Sequence, residues 1–317
     1  MPVLSCGGMR YQMQWHDAVP AKLDEENQRN LEACIHAALG HGIRHIETAR
    51  GYGTSEYQLG LALKSIARER FILQTKVAPR ENPADFVADF EKSLSLLQVE
   101  QLDLLGIHGI NNTQTLELSL SSGGCLEKAL EFKKQGRIKH LGFSTHGHCD
   151  IINAAIDTGA FDYVNLHWYY IFQRNSSCID NAKKHDMGVF IISPNDKGGM
   201  LYKPSRMLKD LTQPLSPMVF NDLYCLSNPN VHTLSIGAAR PADFDEHVKA
   251  IEQSTELADA AQRIRERLDA RLARTEGRDL LWDGEYPLPE WEKVPGEVNL
   301  LIITWLWTLY RAFELKE

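Results

Sequence analysis

Short apolar runs rich in β-formers recur along the first three-quarters of the chain. They are PVLSC (2–6), IRHIE (43–47), FILQTKV (71–77), LDLLGIHG (102–109), IKHLGFST (138–145), YVNLHW (163–168), GVFIISP (188–194) and TLSIGA (233–238). Helical patterns separate them. In NQRNLEACIHAALGHG, Leu31, Cys34, Ile35, Ala38 and Leu39 keep a helical period, and Gly40 and Gly42 end it. SEYQLGLALKSIARE has the same character, with Ser55 as its predicted N-cap. Near-continuous apolar strands alternating with amphipathic helices predict a parallel sheet covered by helices. Eight such units within 1–250 predict an α/β fold, a closed (β/α)8 TIM barrel. The rival is an open doubly wound sheet, which carries a G-x-G-x-x-G turn after its first strand; SCGGMRYQ has none.

Residues 251–317 break this rhythm. IEQSTELADAAQRIRERLDARLARTEG reads as one long charged helix, LLWDGEYPLPEWEKVPGEVN as a Pro- and Trp-rich connection, and LLIITWLWTLYRAFELKE as a strongly apolar helix. The prediction is a helical C-terminal extension packed on the barrel, not an independent domain. No helix C-cap is evident before Glu317, which suggests native sequence beyond it. The run LLIITWLWTL is too short to span a bilayer. Its polar face is too thin for a helix lying on a membrane. Packing within the protein, or a homo-oligomer formed through this helix, is the expectation.

Composition narrows the function classes. A net charge of -8 with no basic run argues against a nucleic-acid partner. The N-terminus lacks a positive segment followed by a long apolar one, so no secretory signal is read. The six cysteines are scattered, without a CxxC pair, as expected of reduced thiols in a cytoplasmic protein.

In a parallel barrel, chemistry gathers at the carboxyl ends of the strands. Those ends carry Glu47, with Tyr52 just after it, then Lys76 and His108. A phenol is a poor acid or base at neutral pH. An adjacent ammonium lowers its pKa, a carboxylate holds the ammonium charged and oriented, and an imidazole can direct a substrate oxygen. The four residue types together make a proton-transfer site. STHGHCD raises a second possibility, a metal site from His146, His148, Cys149 and Asp150 with His167 one strand on. No His-x-His follows the first strand, so no metal is assigned.

Three motifs, ETARGYGTSE, LQTKV and LDLLGIHG, occur in that order and resemble the signatures of the aldo-keto reductases. The resemblance runs from Gly7-Gly8 to about Lys249. One position departs: the family's aspartate is Glu47 here, whose extra methylene has to be absorbed by the backbone or by a different rotamer. The resemblance implies an oxidoreductase that reduces aldehydes or ketones with NADPH, NADH being possible. Tyr52 would be the general acid, tuned by Lys76 and Glu47, with His108 orienting the oxygen. It places Ser144 and Asn165 at the carboxamide of the nicotinamide. Ser193, Lys197, Gly198, Gly199 and Leu201 would lie around the pyrophosphate. Gly237, Arg240 and Glu246 fall at the adenosine end, where Arg240 inclines the reading to NADPH. Trp15, Trp168 and Tyr169 are candidate walls for a substrate left unspecified. The alternative is a nucleotide-binding module that senses redox state through a protein partner, with vestigial catalysis.

Overall fold

The structure is a computed structural model and describes residues 1–15, 22–275, 288, 293–296 and 298–315. All eight apolar runs are strands: β1 (Leu4–Gly7), β2 (His45–Glu47), β3 (Ile72–Val77), β4 (Leu102–His108), β5 (Ile138–Ser144), β6 (Tyr163–Leu166), β7 (Gly188–Ile191) and β8 (Thr233–Ile236). They pair in parallel in chain order, and β8 returns to β1, so the sheet closes into a barrel. The helices are α1 (Glu25–Gly40), α2 (Ser55–Leu63), α3 (Pro83–Leu97), α4 (Thr113–Leu120), α5 (Cys125–Lys134), α6 (Cys149–Ile156), α7 (Ser176–Lys184), α8 (Arg206–Thr212), α9 (Pro217–Leu226), α10 (Asp245–Glu252), α11 (Ser254–Leu272) and α12 (Leu300–Phe313).

The chain divides into two compact units. The first comprises Met1–His167, Cys178–Ile192 and Asn230–Phe244 and contains all eight strands. The second comprises Trp168–Ser177, Ser193–Pro229 and Asp245–Glu317.

Residues two apart share a face of a strand, so each strand sends one alternating set of side chains into the barrel. Leu104, Tyr163 and Phe190 form an apolar layer there, with Ile72 against it. Tyr163 and Phe190 stack at 5.0 Å between ring centroids. Gly142 makes room for this layer, because a Cβ there would lie 2.5 Å from the Tyr163 ring. The same inward set then turns polar. His45 and Gln74 meet at 2.8 Å, and the Gln74 amide donates to Asn165 Oδ1 at 3.0 Å and to the Tyr163 hydroxyl at 3.3 Å. His45 is wholly buried, which lowers its pKa to about 4 and leaves the imidazole neutral.

Local detail departs from the predictions in three places. Thr54, not Ser55, occupies the cap position of α2; the Ser55 hydroxyl is instead 2.8 Å from that of Thr48, tying the helix to the end of β2. The long charged helix is interrupted, α10 ending at Glu252 and α11 starting at Ser254. Glu314 closes α12 in a left-handed conformation, with its N–H donating to Tyr310 O, so a C-cap is present after all. Most of the Pro- and Trp-rich connection at 280–299 lies outside the described residues.

Within the second unit, α12 lies on its own neighbours by one face. Thr308, Leu309, Ala312 and Phe313 are buried, Trp305 Nε1 donates to Ile171 O at 2.9 Å, and Ser205 Oγ donates to Phe313 O at 2.6 Å. Its other face is exposed and equally apolar, carrying Ile302, Ile303, Leu306, Trp307 and Tyr310. No helix among the described residues is long and apolar enough to cross a membrane.

Candidate active site

The four predicted residues at the strand ends come together in the first unit. Lys76, from β3, lies 3.1 Å from Glu47 Oε1, at the end of β2, and donates to Thr48 O at 3.0 Å. The two side chains are 1% and 4% exposed, so this ion pair is almost wholly out of water. The longer glutamate is accommodated by further partners: Ser235 Oγ donates to Oε1 at 3.1 Å, and Asn165 Nδ2 to Oε2 at 3.4 Å. Burial disfavours the Lys76 ammonium, but Glu47 and Tyr52 outweigh it, and its pKa is raised.

Tyr52 sits on the turn between β2 and α2. Tyr52 N donates to Ala49 O at 3.0 Å, and Ser55 N donates back to Tyr52 O at 3.0 Å. A buried ion pair under the turn, Arg50 with Glu56, holds it against α2, and Thr75 Oγ1 adds a bond to Glu56 at 2.5 Å. The Tyr52 ring lies 5.3 Å from Lys76 Nζ and edge-on to His108 at 5.6 Å. Trp15 approaches its other side at 6.3 Å.

One expectation about this site needs correcting. Lys76 does pull the Tyr52 pKa down, but burial pushes it up by more and Glu47 adds to the rise, so the phenol lies above its ordinary value of 10. Tyr52 is therefore a protonated acid at neutral pH. Burial, then Lys76 and then His146 lower the pKa of His108 to about 3, and its imidazole is a neutral hydrogen-bond group. An acid, a fixed cation and a neutral donor around one point suit protonation of an oxygen that gains negative charge.

The remaining predicted residues fall into separate groups. Ser144 pairs in register with both His108 and Asn165, and its Oγ accepts from Gly109 N at 3.1 Å. Asn165 points into the barrel, committed to Glu47 and Gln74. Arg240 is exposed and paired with Asp243 at 2.9 Å, which offsets part of its charge. Gly237 is met by a cation the sequence reading passed over, Arg10, whose Nη1 donates to Gly237 O at 3.2 Å. Ser193, Asn195, Lys197, Gly198, Gly199 and Leu201 form a coiled loop in the second unit, where Glu246 is exposed on α10. Burial lowers the pKa of Lys197, against a smaller opposing effect of Asp196. Trp168 and Tyr169 are buried in the same unit, Trp168 stacked on Tyr224 at 5.0 Å. His146 and His167 share a hydrogen bond of 2.7 Å, and no three His, Cys, Asp or Glu side chains gather as metal ligands among the described residues.

Ser235 and Gln74 complete the site and went unnamed in the sequence reading. A signal for them exists: His45 and Glu47, Gln74 and Lys76, and Thr233 and Ser235 are polar pairs two apart in largely apolar strands, which marks the inward face.

Closed parallel barrel and clustered strand-end groups define the class: a (β/α)8 protein with a tyrosine, a lysine, a histidine and a carboxylate gathered over β2, β3 and β4. The chain belongs to the aldo/keto reductase family, whose model matches residues 3–266. Among curated proteins, it is similar to the NAD(P)H-dependent 6'-deoxychalcone synthase of Glycine max, 28% identical over 193 residues, or 54% of this chain and 59% of that protein. It is also similar to the glyoxal reductase of Bacillus subtilis, 31% identical over 121 residues, covering 38% and 41% of the two chains. The matched segments thus span less than two thirds of these relatives' length. Among solved structures, a holo-form aldo-keto reductase from Bacillus halodurans superposes with a TM-score of 0.68 at 21% identity, over 84% of this chain and 91% of that one. An aldo-keto reductase from Klebsiella pneumoniae in complex with NADPH gives 0.63 at 18%, over 82% and 90%. At these identities the likeness concerns the fold.

Proposed function

We propose that the protein reduces aldehydes or ketones to alcohols with a nicotinamide dinucleotide, NADPH by preference and NADH in second place. The observation that carries this reading is the Lys76–Glu47 pair at 3.1 Å, out of water, beside a phenol held in its acid form. The bound dinucleotide would supply the hydride. The chain's own residues do the rest. His108 donates a hydrogen bond to the carbonyl oxygen and fixes its position. Tyr52 delivers its proton to that oxygen as negative charge develops. Lys76 stabilises the phenolate left behind, and Glu47, steadied by Ser235 and Asn165, keeps the ammonium charged and in place.

The residues available for the dinucleotide fit its chemistry. A Cβ on Gly198 would lie 1.8 Å from Pro194 O, so the coil at 193–201 needs a glycine there, next to Lys197. We assign Ser193, Lys197, Gly198, Gly199 and Leu201 to the pyrophosphate and Ser144 to the carboxamide; Asn165, whose Nδ2 and Oδ1 serve Glu47 and Gln74, is left to steady Glu47 rather than to meet the carboxamide. Gly237, Arg240 and Glu246 are assigned to the adenosine end, with Arg10 added to them. The pairing of Arg240 with Asp243 makes the preference for NADPH a modest one.

Quenching of tryptophan fluorescence by NADPH and by NADH tests the reading without a substrate guess. Saturation at micromolar NADPH is expected; no binding of either form overturns the proposal.

The apolar outer face of α12 favours one addition, self-association through that helix. Val298, Ile302, Ile303, Leu306, Trp307 and Tyr310 are each at least 38% exposed. They offer on the order of 500 Å² per chain, so a two-fold pairing of two such faces would bury ~1,000 Å², near the lower end for specific interfaces. The stripe holds no charge, and the helix's single cation, Arg311, lies over the Trp307 ring at 5.7 Å. A second copy, equally apolar, matches that face better than an anionic lipid surface, which is bound through Lys and Arg. The same face also favours the reading of a nucleotide-binding module acting on a partner; saturable cofactor binding without turnover of any carbonyl would select it.

A further inference from the structure

The second unit contains a buried carboxylate–imidazole–amide chain that the proton-transfer constellation does not use. Asp222 on α9, His247 on α10 and Asn195 in the 193–201 coil are 0%, 0% and 5% exposed. Asp222 Oδ2 pairs with His247 Nδ1, and His247 Nε2 lies 3.0 Å from Asn195 Nδ2. The order of partners fixes the tautomer. Nδ1 carries the hydrogen given to Asp222, so Nε2 is the acceptor and takes an N–H from the Asn195 amide.

A core serving stability alone would not be built this way. Asp222 Oδ1 and Asn195 Oδ1 are buried without a protein hydrogen bond, and apolar residues of similar volume commonly do as well or better in such places. What the chain does hold is a coil that opposes its own backbone preferences. Ser193 and Met200 adopt φ of +53° and +52°, a region non-glycine residues avoid unless their surroundings impose it. The coil is closed internally by Leu201 N donating to Asn195 O at 2.7 Å and Met200 N to Asp196 O at 2.7 Å. Its side-chain ties outward to the helices include Asn221 Nδ2 to Pro194 O at 3.1 Å and the Asn195–His247 bond. Asn195 therefore contributes its carbonyl to the coil and its amide to α10.

We infer that Asp222, His247 and Asn195 are positioning residues for the dinucleotide: they hold the 193–201 coil in the shape that presents Lys197, Gly198 and Gly199 to a pyrophosphate. The inference rests on the cofactor reading given above. Asp222 aims the imidazole, the imidazole aims the amide, and the amide sets the coil. None of the three needs to touch the ligand.

Two variants of the full chain test it. The double replacement Asp222→Leu with His247→Leu removes the carboxylate and the imidazole together, so no unpaired charge stays buried. The single replacement His247→Gln offers a carbonyl oxygen to the Asn195 amide and an N–H to Asp222. The double variant should raise the Kd for NADPH roughly ten-fold or more, the loss of about one net hydrogen bond or more, while His247→Gln stays within about three-fold of wild type. Steady-state kinetics should show the loss in KM for NADPH rather than in kcat. Amide hydrogen exchange, measured without cofactor, should quicken at 195–201 in the double variant and leave β2–β6 unchanged. Wild-type binding with unaltered affinity and exchange in the double variant overturns the inference and leaves the cofactor reading standing. Failure of His247→Gln to restore affinity also overturns it. Absence of NADPH binding by the wild type overturns both.

Discussion

Lys76 and Glu47 tolerate burial because each supplies the other's opposite charge, with Thr48, Ser235 and Asn165 adding hydrogen bonds. Replacing one partner of such a pair strands the other, at a cost of about 3–5 kcal/mol. Lys76→Met should therefore lower stability by that amount in urea unfolding, whereas Lys76→Met with Glu47→Gln should recover most of it. Both variants should lack carbonyl reduction, since neither can stabilise a Tyr52 phenolate. Tyr52→Phe separates acid catalysis from stability. Tyr52 is half-buried as a residue and the change removes a single hydroxyl, so its loss should leave the fold and NADPH affinity intact and lower kcat by about 10²–10⁴-fold. Reduction at an unchanged rate would remove Tyr52 from the mechanism. These residues were legible because each ends or follows a strand within a recognisable motif. Ser235 and Asn165 were harder to see in this role: they meet Glu47 across 188 and 118 residues of sequence, and only closure of the barrel makes them neighbours.

At the scale of the element, β2 shows how one strand serves two ends of the barrel. Its three residues, His45, Ile46 and Glu47, alternate so that the first and third share the inward face. Glu47 supports the site, while His45 is enclosed as a neutral imidazole with a pKa of about 4 against an ordinary 6.5. As pH falls below 6.5, the unfolded chain takes up a proton that the folded chain refuses until about 4, so stability is lost as pH falls through that window. At pH 5 the loss should be ~2 kcal/mol from this residue. His45→Gln should flatten the fall in urea midpoint between neutral pH and pH 5; an unchanged fall would place the acid sensitivity elsewhere. The strands themselves were legible because a parallel strand buried on both faces is a continuous apolar run. The interruption between α10 and α11 was not, because Gln253 carries no helix-breaking signal and makes no side-chain cap bond there.

For the whole molecule, the exposed face of α12 is the feature with the largest consequence. The pattern LLIITWLWTLYRAF is apolar nearly all round, and one unit buries only one side of it. Sedimentation equilibrium at micromolar to tens of micromolar concentration should find a dimer, and Ile303→Glu with Leu306→Lys should yield a monomer that still binds NADPH. A monomeric wild type would overturn the association, and a dimer that persists in the variant would move the interface to another surface. Wild-type monomer captured by lipid vesicles would favour a membrane surface instead.

The order of strands and helices, the barrel they close into and the four strand-end groups were determined by the sequence, because burial periodicity and motif spacing are local and survive in one dimension. The tertiary structure alone decided the protonation states and partnerships. Burial outweighs Lys76 at Tyr52, Asn165 turns toward Glu47, Asp243 takes up Arg240, and Asp222, His247 and Asn195 line up behind a coil. Each depends on solvent exclusion or on contacts between residues far apart in the chain, and those quantities exist only once the chain has closed on itself.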